Sequence, residues 1–486
     1  MWHGERLLID GELVAADGNR TYETVNPSTG EPLGTAADAS VDDAARAVAA
    51  ARRAFDTTDW AQDTDRRVRC LRQLHEALVT HADELRPLLV AEVGAPVMLT
   101  EGPQLDTPVG MVAWYADLLE KYDFTEDLGV IAARGNQHHR WVEKEAAGVV
   151  ASIVPYNYPV QISLAKLAPA LAAGCTSVLK GPPEAPWVTA ALGRLVAEHT
   201  DIPPGVVNVL TSSDAEVGEA LVADPLVDMV SFTGSTATGR RVMATASATV
   251  KKVFLELGGK SAFIVLDDAD LPLAAMMAAF TICSHAGQGC AITTRLLVPE
   301  AKQAEIEALV VDMLGSVPFG DPSDPGNLMG PLISERQREK VDGYVQGAIA
   351  EGARVLTGGR RPEHLPRGYF YEPTLLSGVR PGSAVAQDEV FGPVLAVLPY
   401  RDDDDAVAIA NDTIFGLSGA VYGGDQERAT AVARRLRSGT VSVNGGLYYG
   451  ADAPFGGYKQ SGIGREMGAA GMEEFLELKT LATPAG

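Results

Sequence analysis

Cysteine is scarce in this chain, with only 4 in 486 residues, at positions 70, 175, 283 and 290. None is spaced as CxxC and none joins a Cys/His cluster, which argues against a disulfide scaffold or a metal centre and for a reducing compartment. His138 and His139 are adjacent and would face opposite sides of a strand, so they do not share a metal. Long apolar runs are missing too; none approaches the roughly 18 residues that span a bilayer. The opening MWHGERLLIDGELV has no basic region followed by an apolar core, so no secretion signal is read and a cytoplasmic location is expected. Basic residues are outnumbered, 40 Lys and Arg against 64 Asp and Glu. The resulting net charge of -24 repels phosphate backbones and anionic lipid, so neither nucleic acid nor a membrane surface is an expected partner. The acidic run 402–405 directly precedes AVAIAND and reads as a helix start, where carboxylates are favoured. A GxGxxG fingerprint is also absent.

What is present is length and alternation. A chain of 486 residues exceeds one ordinary domain and supports two or three with ample core. LIDGELV carries an Asp-Gly hairpin signal, and turn residues around 26–30 indicate short strands and turns. Residues 41–56 and 64–92 show helical apolar spacing, and HHRWVEKEAAG from His138 reads as a strand on a separate arm. From Gly148 short apolar runs (GVVASIVP, TSVLKGP, GVVNVLTS, VDMVSFTGS, KKVFLEL) alternate with helical segments, the mark of a doubly wound parallel sheet. A second series follows in SAFIVLDD, RLLVPE, ARVLTGG, VFGPVLAVLPY and GTVSVNGG. Two α/β domains are therefore expected.

Several residues suit chemistry. In SFTGSTATG, Gly234 and Gly239 stand where a strand meets a helix, a place whose free backbone N–H groups and positive dipole end suit a pyrophosphate. Turn chemistry accounts for the same residues equally well. Lys180 ends another strand of the same series, where ligands of open α/β sheets bind. Cys290, in SHAGQGCAITTR, has small neighbours that leave its sulfur approachable, and thiolate is a strong nucleophile. Glu256 in LELGGKS precedes two glycines, expected to turn the backbone sharply and leave the carboxylate accessible. Asn157 in PYNYP offers a side-chain N–H that can hold an oxyanion. Taken singly, each of these also has an ordinary structural reading as a solvated charge or a turn residue.

In chain order, PYNYP, VLKGPPEAP, FTGSTATG, LELGGKS, GQGCAITTR, EVFGPV and PFGGYKQSGIGRE resemble the aldehyde dehydrogenase superfamily over nearly the whole chain. The resemblance implies α/β architecture with a Rossmann-like NAD(P)-binding domain (1–123 and 147–257), a catalytic α/β domain (258–472) and a small β-arm for oligomerisation (124–146 and 473–486). It implies oxidation of an aldehyde to a carboxylic acid by a homodimer or homotetramer. Cys290 takes the nucleophile's position, Glu256 the base's and Asn157 the oxyanion amide's, while Lys166 and Glu466 match residues proposed to assist proton movement. Cofactor contacts fall on Ile153, Pro155, Lys180, Gly234, Ser235, Gly239, Glu256, Leu257, Glu389 and Phe391.

The chain departs from the family where many members carry a glutamate three residues after the lysine matched by Lys180. Pro183 stands there and the nearest acid is Glu184, so NAD is expected with NADP open. Tyr156 replaces a common tryptophan. Tyr158 with the small residues Ala165, Ser284, Gly289 and Ala291 implies a roomy channel for bulky or aromatic aldehydes. The rival readings are a CoA-acylating enzyme and a silent binding or structural relative.

Overall fold

Asp10 and Gly11 both take left-handed backbone, φ 57 and 79, the geometry that closes a two-residue hairpin. They join β1 (Leu7–Ile9) to β2 (Glu12–Val14), as the Asp-Gly signal indicates. The computed structural model describes residues 6–485; residues 1–5, read above for a leader, and Gly486 of the expected arm lie outside it. A second ribbon pairs β3 (Thr21–Val25) with β4 (Pro32–Ala37). A helical shell follows.

The helical spacing of 64–92 resolves into two helices, Thr64–Thr80 and Ala82–Val93, instead of one. His81 leaves helical geometry between them, at φ -101 and ψ 13, and its ring meets Glu84 at 3.0 Å. The first helix packs on both Asp106–Leu119 and Pro186–His199, and the second on Pro186–His199.

Next come β5 (Thr125–Ala133) and β6 (Asn136–Ala146), and then the parallel strands β7 (Val149–Ile153), β8 (Thr176–Lys180), β9 (Val207–Leu210), β10 (Met229–Thr233) and β11 (Lys252–Glu256). Val149 and Ala151 of β7 join the apolar cluster on one face of this sheet and Val150 the cluster on the other. Alternation along a strand buried on both sides explains why these runs read as continuously apolar.

The second series is β12 (Ser261–Val265), β13 (Thr293–Pro299), β14 (Arg354–Thr357), β15 (Thr374–Ser377), β16 (Val394–Tyr400), β17 (Gly419–Tyr422) and β18 (Ser442–Val443). Its order is β14-β15-β16-β13-β12-β17-β18, parallel except for the antiparallel edge pair β14 and β15. The strands β15 and β17 are absent from the runs read in the sequence. The chain closes with β19 (Gly462–Ile463), which joins the edge of the first sheet beside β11, and β20 (Leu476–Pro484), which pairs with β6 in a three-stranded antiparallel sheet with β5.

The acidic run serves as its position indicates. Asp402 caps the helix Asp403–Asn411 by accepting from the Asp405 N–H at 2.9 Å, and Arg428, Arg435 and Arg401 pair with the three aspartates that follow.

Candidate active site

The first sheet runs β19-β11-β10-β7-β8-β9-β1-β2. The chain winds from β7 through β8 to β9 on one side, then returns to β10 and β11 on the other. The strand order therefore reverses between β7 and β10, the crevice where open α/β sheets bind ligands. Ile153, Lys180 and Phe232 of these strands line a cavity of about 270 Å³ there, together with Gly218 and Thr238 from the helices above.

Ser235 caps the helix Thr236–Ala246, accepting from the Thr238 N–H at 3.2 Å. The glycines flanking it have packing roles: a Cβ on Gly234 would sit 2.5 Å from the Phe232 ring, and one on Gly239 2.6 Å from Leu257. Thr233 Oγ1, at the end of β10, is buried without a partner. Lys180 is buried, its Nζ donates to the Ser212 carbonyl at 3.4 Å, and burial pulls its pKa down against the opposing pull of Glu184. The Glu184 carboxyl is pushed up by burial, with Lys180 opposing. On the facing domain Glu389 accepts from the Gly259 N–H at 3.0 Å, and burial pushes its pKa up to about 7. Phe391 holds left-handed backbone, φ 59, and meets Tyr156 edge-on at 6.0 Å, just beyond Pro155.

Cys290 follows a strained run: His285, Ala286 and Gly287 all have positive φ, at 48, 52 and 72. Such backbone is costly for non-glycine residues and concentrates at functional sites. At Gly287 a Cβ would come within 2.1 Å of the Gly392 carbonyl, so glycine lets the thiol loop lie against the loop that carries Glu389 and Phe391. Local side-chain bulk beside Cys290 is small, as expected. The larger groups come from afar: Tyr158, Tyr448 and Tyr449 pack in the same apolar cluster and stand within electrostatic reach of the sulfur.

Burial raises the Cys290 pKa well above that of a free thiol, and Glu256 and Glu389 add to the effect. Glu256 interacts directly with Cys290 and is likewise pushed well up, first by burial and then by Glu466, with Lys166 opposing. Neither Glu256 oxygen has a hydrogen bond of ordinary geometry. The expected accessible carboxylate is therefore corrected: Glu256 is only 1% exposed. The expected sharp turn is corrected as well, because neither Gly258 nor Gly259 has positive φ. Those glycines instead admit close neighbours, since a Cβ would lie 2.4 Å from Glu389 Oε2 at Gly258 and 2.3 Å from the Cys290 carbonyl oxygen at Gly259.

Asn157 is buried, and its Nδ2 donates to the Gln288 carbonyl at 2.9 Å. This contact orients the amide, because the opposite flip would set two oxygens together. The second Nδ2 hydrogen is left for another acceptor. Nearby, Lys166 Nζ meets Glu466 Oε1 at 2.7 Å and Ser231 Oγ at 3.2 Å, wholly inside the protein.

Sequence reasoning missed Gln288, which lies in the quoted GQGC segment but was given no role. It also missed Gln104, Tyr448 and Tyr449, for which no local signal exists.

Fold and site together define a doubly wound α/β protein with a thiol, a carboxylate and an amide gathered beside a nucleotide-type crevice. The family model described as Aldehyde dehydrogenase family matches residues 13–481, and the chain belongs to that family. It is 43% identical to 3-succinoylsemialdehyde-pyridine dehydrogenase of Pseudomonas sp, over 98% of both chains. It is 39% identical to betaine aldehyde dehydrogenase of Bacillus subtilis, over 98% of this chain and 96% of that one. A Mycobacterium tuberculosis aldehyde dehydrogenase complexed with NAD+ superposes with a TM-score of 0.95 at 40% identity, covering 100% of this chain and 99% of its own.

Proposed function

We propose that this protein oxidises an aldehyde to its carboxylic acid with NAD+, through a covalent bond to Cys290 that water finally hydrolyses. The observation that carries this reading is the direct interaction of Glu256 with Cys290, with the buried Asn157 amide held by the Gln288 carbonyl two residues before that cysteine. A dinucleotide fits the neighbouring crevice, whose cavity Lys180 lines, and the capped helix start at Ser235, the unpartnered Thr233 hydroxyl and the Glu389 carboxylate would hold its further parts. Ile153 lines that cavity, and Pro155, Leu257 and Phe391 would add apolar contacts; Gly234 and Gly239 keep the strand-to-helix junction tight. Glu184 beside Lys180 favours NAD over NADP, because a carboxylate there repels a 2′-phosphate. When bound, the cofactor would accept the hydride.

Cys290 in its thiolate form attacks the aldehyde carbon. The free Asn157 N–H and the Cys290 backbone N–H stabilise the oxyanion that forms, each such donor contributing on the order of 2.7–4 kcal/mol at the transition state. Loss of hydride leaves a thioester. Glu256 then removes a proton from the attacking water, and burial, which holds its carboxyl above the usual range, makes it a stronger base than a solvated glutamate. Lys166 and Glu466 carry the released proton away from Glu256.

The aromatic wall of Tyr158, Tyr448 and Tyr449 suits bulky or aromatic aldehydes. Leu128, Val130, Ile131 and Leu478 are exposed apolar residues on the β5-β6-β20 sheet, which serves as the arm of a homodimer or homotetramer. The four unpaired cysteines fit the cytoplasm. Among the described residues no helix is long and apolar enough to cross a membrane.

Absorbance at 340 nm with a panel of aldehydes, with NAD+ or NADP+ and with or without CoA, tests this reading. Acid and NADH in stoichiometric amounts without CoA are expected. Turnover only with CoA, or none at all, refutes it.

A further inference from the structure

Asn157 contributes more than a side chain to the cleft, because its own carbonyl lies before the helix Pro159–Ala173 and takes no part in that helix's bonding. That carbonyl accepts from Gln104 Nε2 at 2.8 Å. Gln104 is fully buried in the connector between the short helix Val97–Thr100 and the helix Asp106–Leu119, and its backbone N–H is tied to the Leu99 carbonyl at 3.0 Å. Its Oε1 is buried with no partner. A buried amide oxygen left unbonded costs about 1–3 kcal/mol, so a glutamine here is expensive for packing alone. The next residue's ring, Tyr158, meets His285 edge-on at 5.4 Å, and the His285 imidazole faces the Asn157 backbone. Burial pushes His285 down to about 4, so that wall is neutral at working pH. Three segments from different parts of the chain thus converge on one peptide group.

We propose that Gln104 is a positioning residue for the oxyanion-binding amide: by holding the Asn157 carbonyl it fixes the peptide plane, and so the direction of the Asn157 side chain towards the carbon that Cys290 attacks. This inference rests on the proposed aldehyde oxidation. A misplacement of the order of 1 Å at such a group costs about 100-fold in rate.

The test uses two near-isosteric variants, Gln104→Met, which has no donor, and Gln104→Glu, which donates only when protonated. Turnover is measured against pH with benzaldehyde and octanal as probes, alongside NAD+ binding and the melting midpoint. For Gln104→Met, kcat falls about 10- to 100-fold while the aldehyde KM and the NAD+ Kd stay within about twofold. For Gln104→Glu, the ratio of its kcat to that of the wild type rises as pH falls, because the protonated carboxyl restores a donor, whereas the Gln104→Met ratio stays flat. Wild-type kcat in either variant throughout the pH range overturns the proposal, as does an equal loss in both with no pH response. A wild-type chain that oxidises no member of the aldehyde panel sinks the proposed function itself, an outcome recognisable without any variant.

Discussion

Glu466→Gln is the sharpest perturbation the site offers, because one carboxylate both supports stability and opposes the ionisation of Glu256. Lys166 and Glu466 have side chains 0% and 9% exposed and stand 2.7 Å apart, and the ammonium also lies 4.9 Å from the Phe254 ring centre. Removing one partner of a buried pair typically costs about 3–5 kcal/mol, since the other charge is left in a poor solvent. Glutamine keeps an acceptor for Lys166, so the lower end, about 3 kcal/mol, is expected. The double variant Lys166→Met with Glu466→Leu should cost less than the sum of its singles by about 2 kcal/mol, because no stranded charge remains. The catalytic consequence has a definite sign. Burial and then Glu466 push the Glu256 pKa up while Lys166 pulls it down, so deleting the Glu466 charge lets Glu256 ionise at lower pH. A base must be deprotonated to act, and the acid limb of the kcat profile therefore moves to lower pH. Melting curves of the wild type, Glu466→Gln, the two single variants and the double variant, with kcat from about pH 5 to 9, decide the matter. An unmoved or alkaline-shifted limb, or strictly additive melting losses, would refute the reasoning.

Asn157→Ala should lower kcat about 100- to 1000-fold with little change in NAD+ affinity, and Asn157→Asp should do no better, because a carboxylate oxygen would face the Gln288 carbonyl; steady-state kinetics with cofactor titration checks both. Cys290→Ala should abolish turnover yet retain NAD+ binding. With iodoacetamide, mass spectrometry should find label at Cys290 ahead of Cys70, Cys175 and Cys283, because Cys290 is partly exposed and the other three are buried. Gly258→Ala should displace the Glu389 carboxylate and raise the KM for NAD+ while the aldehyde KM changes less. Gly259→Ala meets a backbone carbonyl that cannot move aside, so loss of folded yield, read by melting, is expected as well as loss of activity.

Local sequence carried much of this. Short apolar runs alternating with helical spacing located β7 to β11, Asp-Gly marked the opening hairpin, and the motifs around Cys290, Glu256 and Asn157 marked the candidate site. Turn chemistry and periodicity are properties of neighbouring residues, so a chain can display them before it folds.

Tertiary structure alone decided what depends on close approach between remote segments. It set the reversal of strand order between β7 and β10, the burial of Glu256, and the meeting of Lys166 with Glu466, 300 residues apart in sequence. It assigned Gly258 and Gly259 to making room for neighbours instead of turning the chain, and set Gln104 behind the Asn157 carbonyl. A residue's own neighbours record which backbone it favours. Which remote atom will press against it, and whether water will reach it, is settled only when the two domains pack.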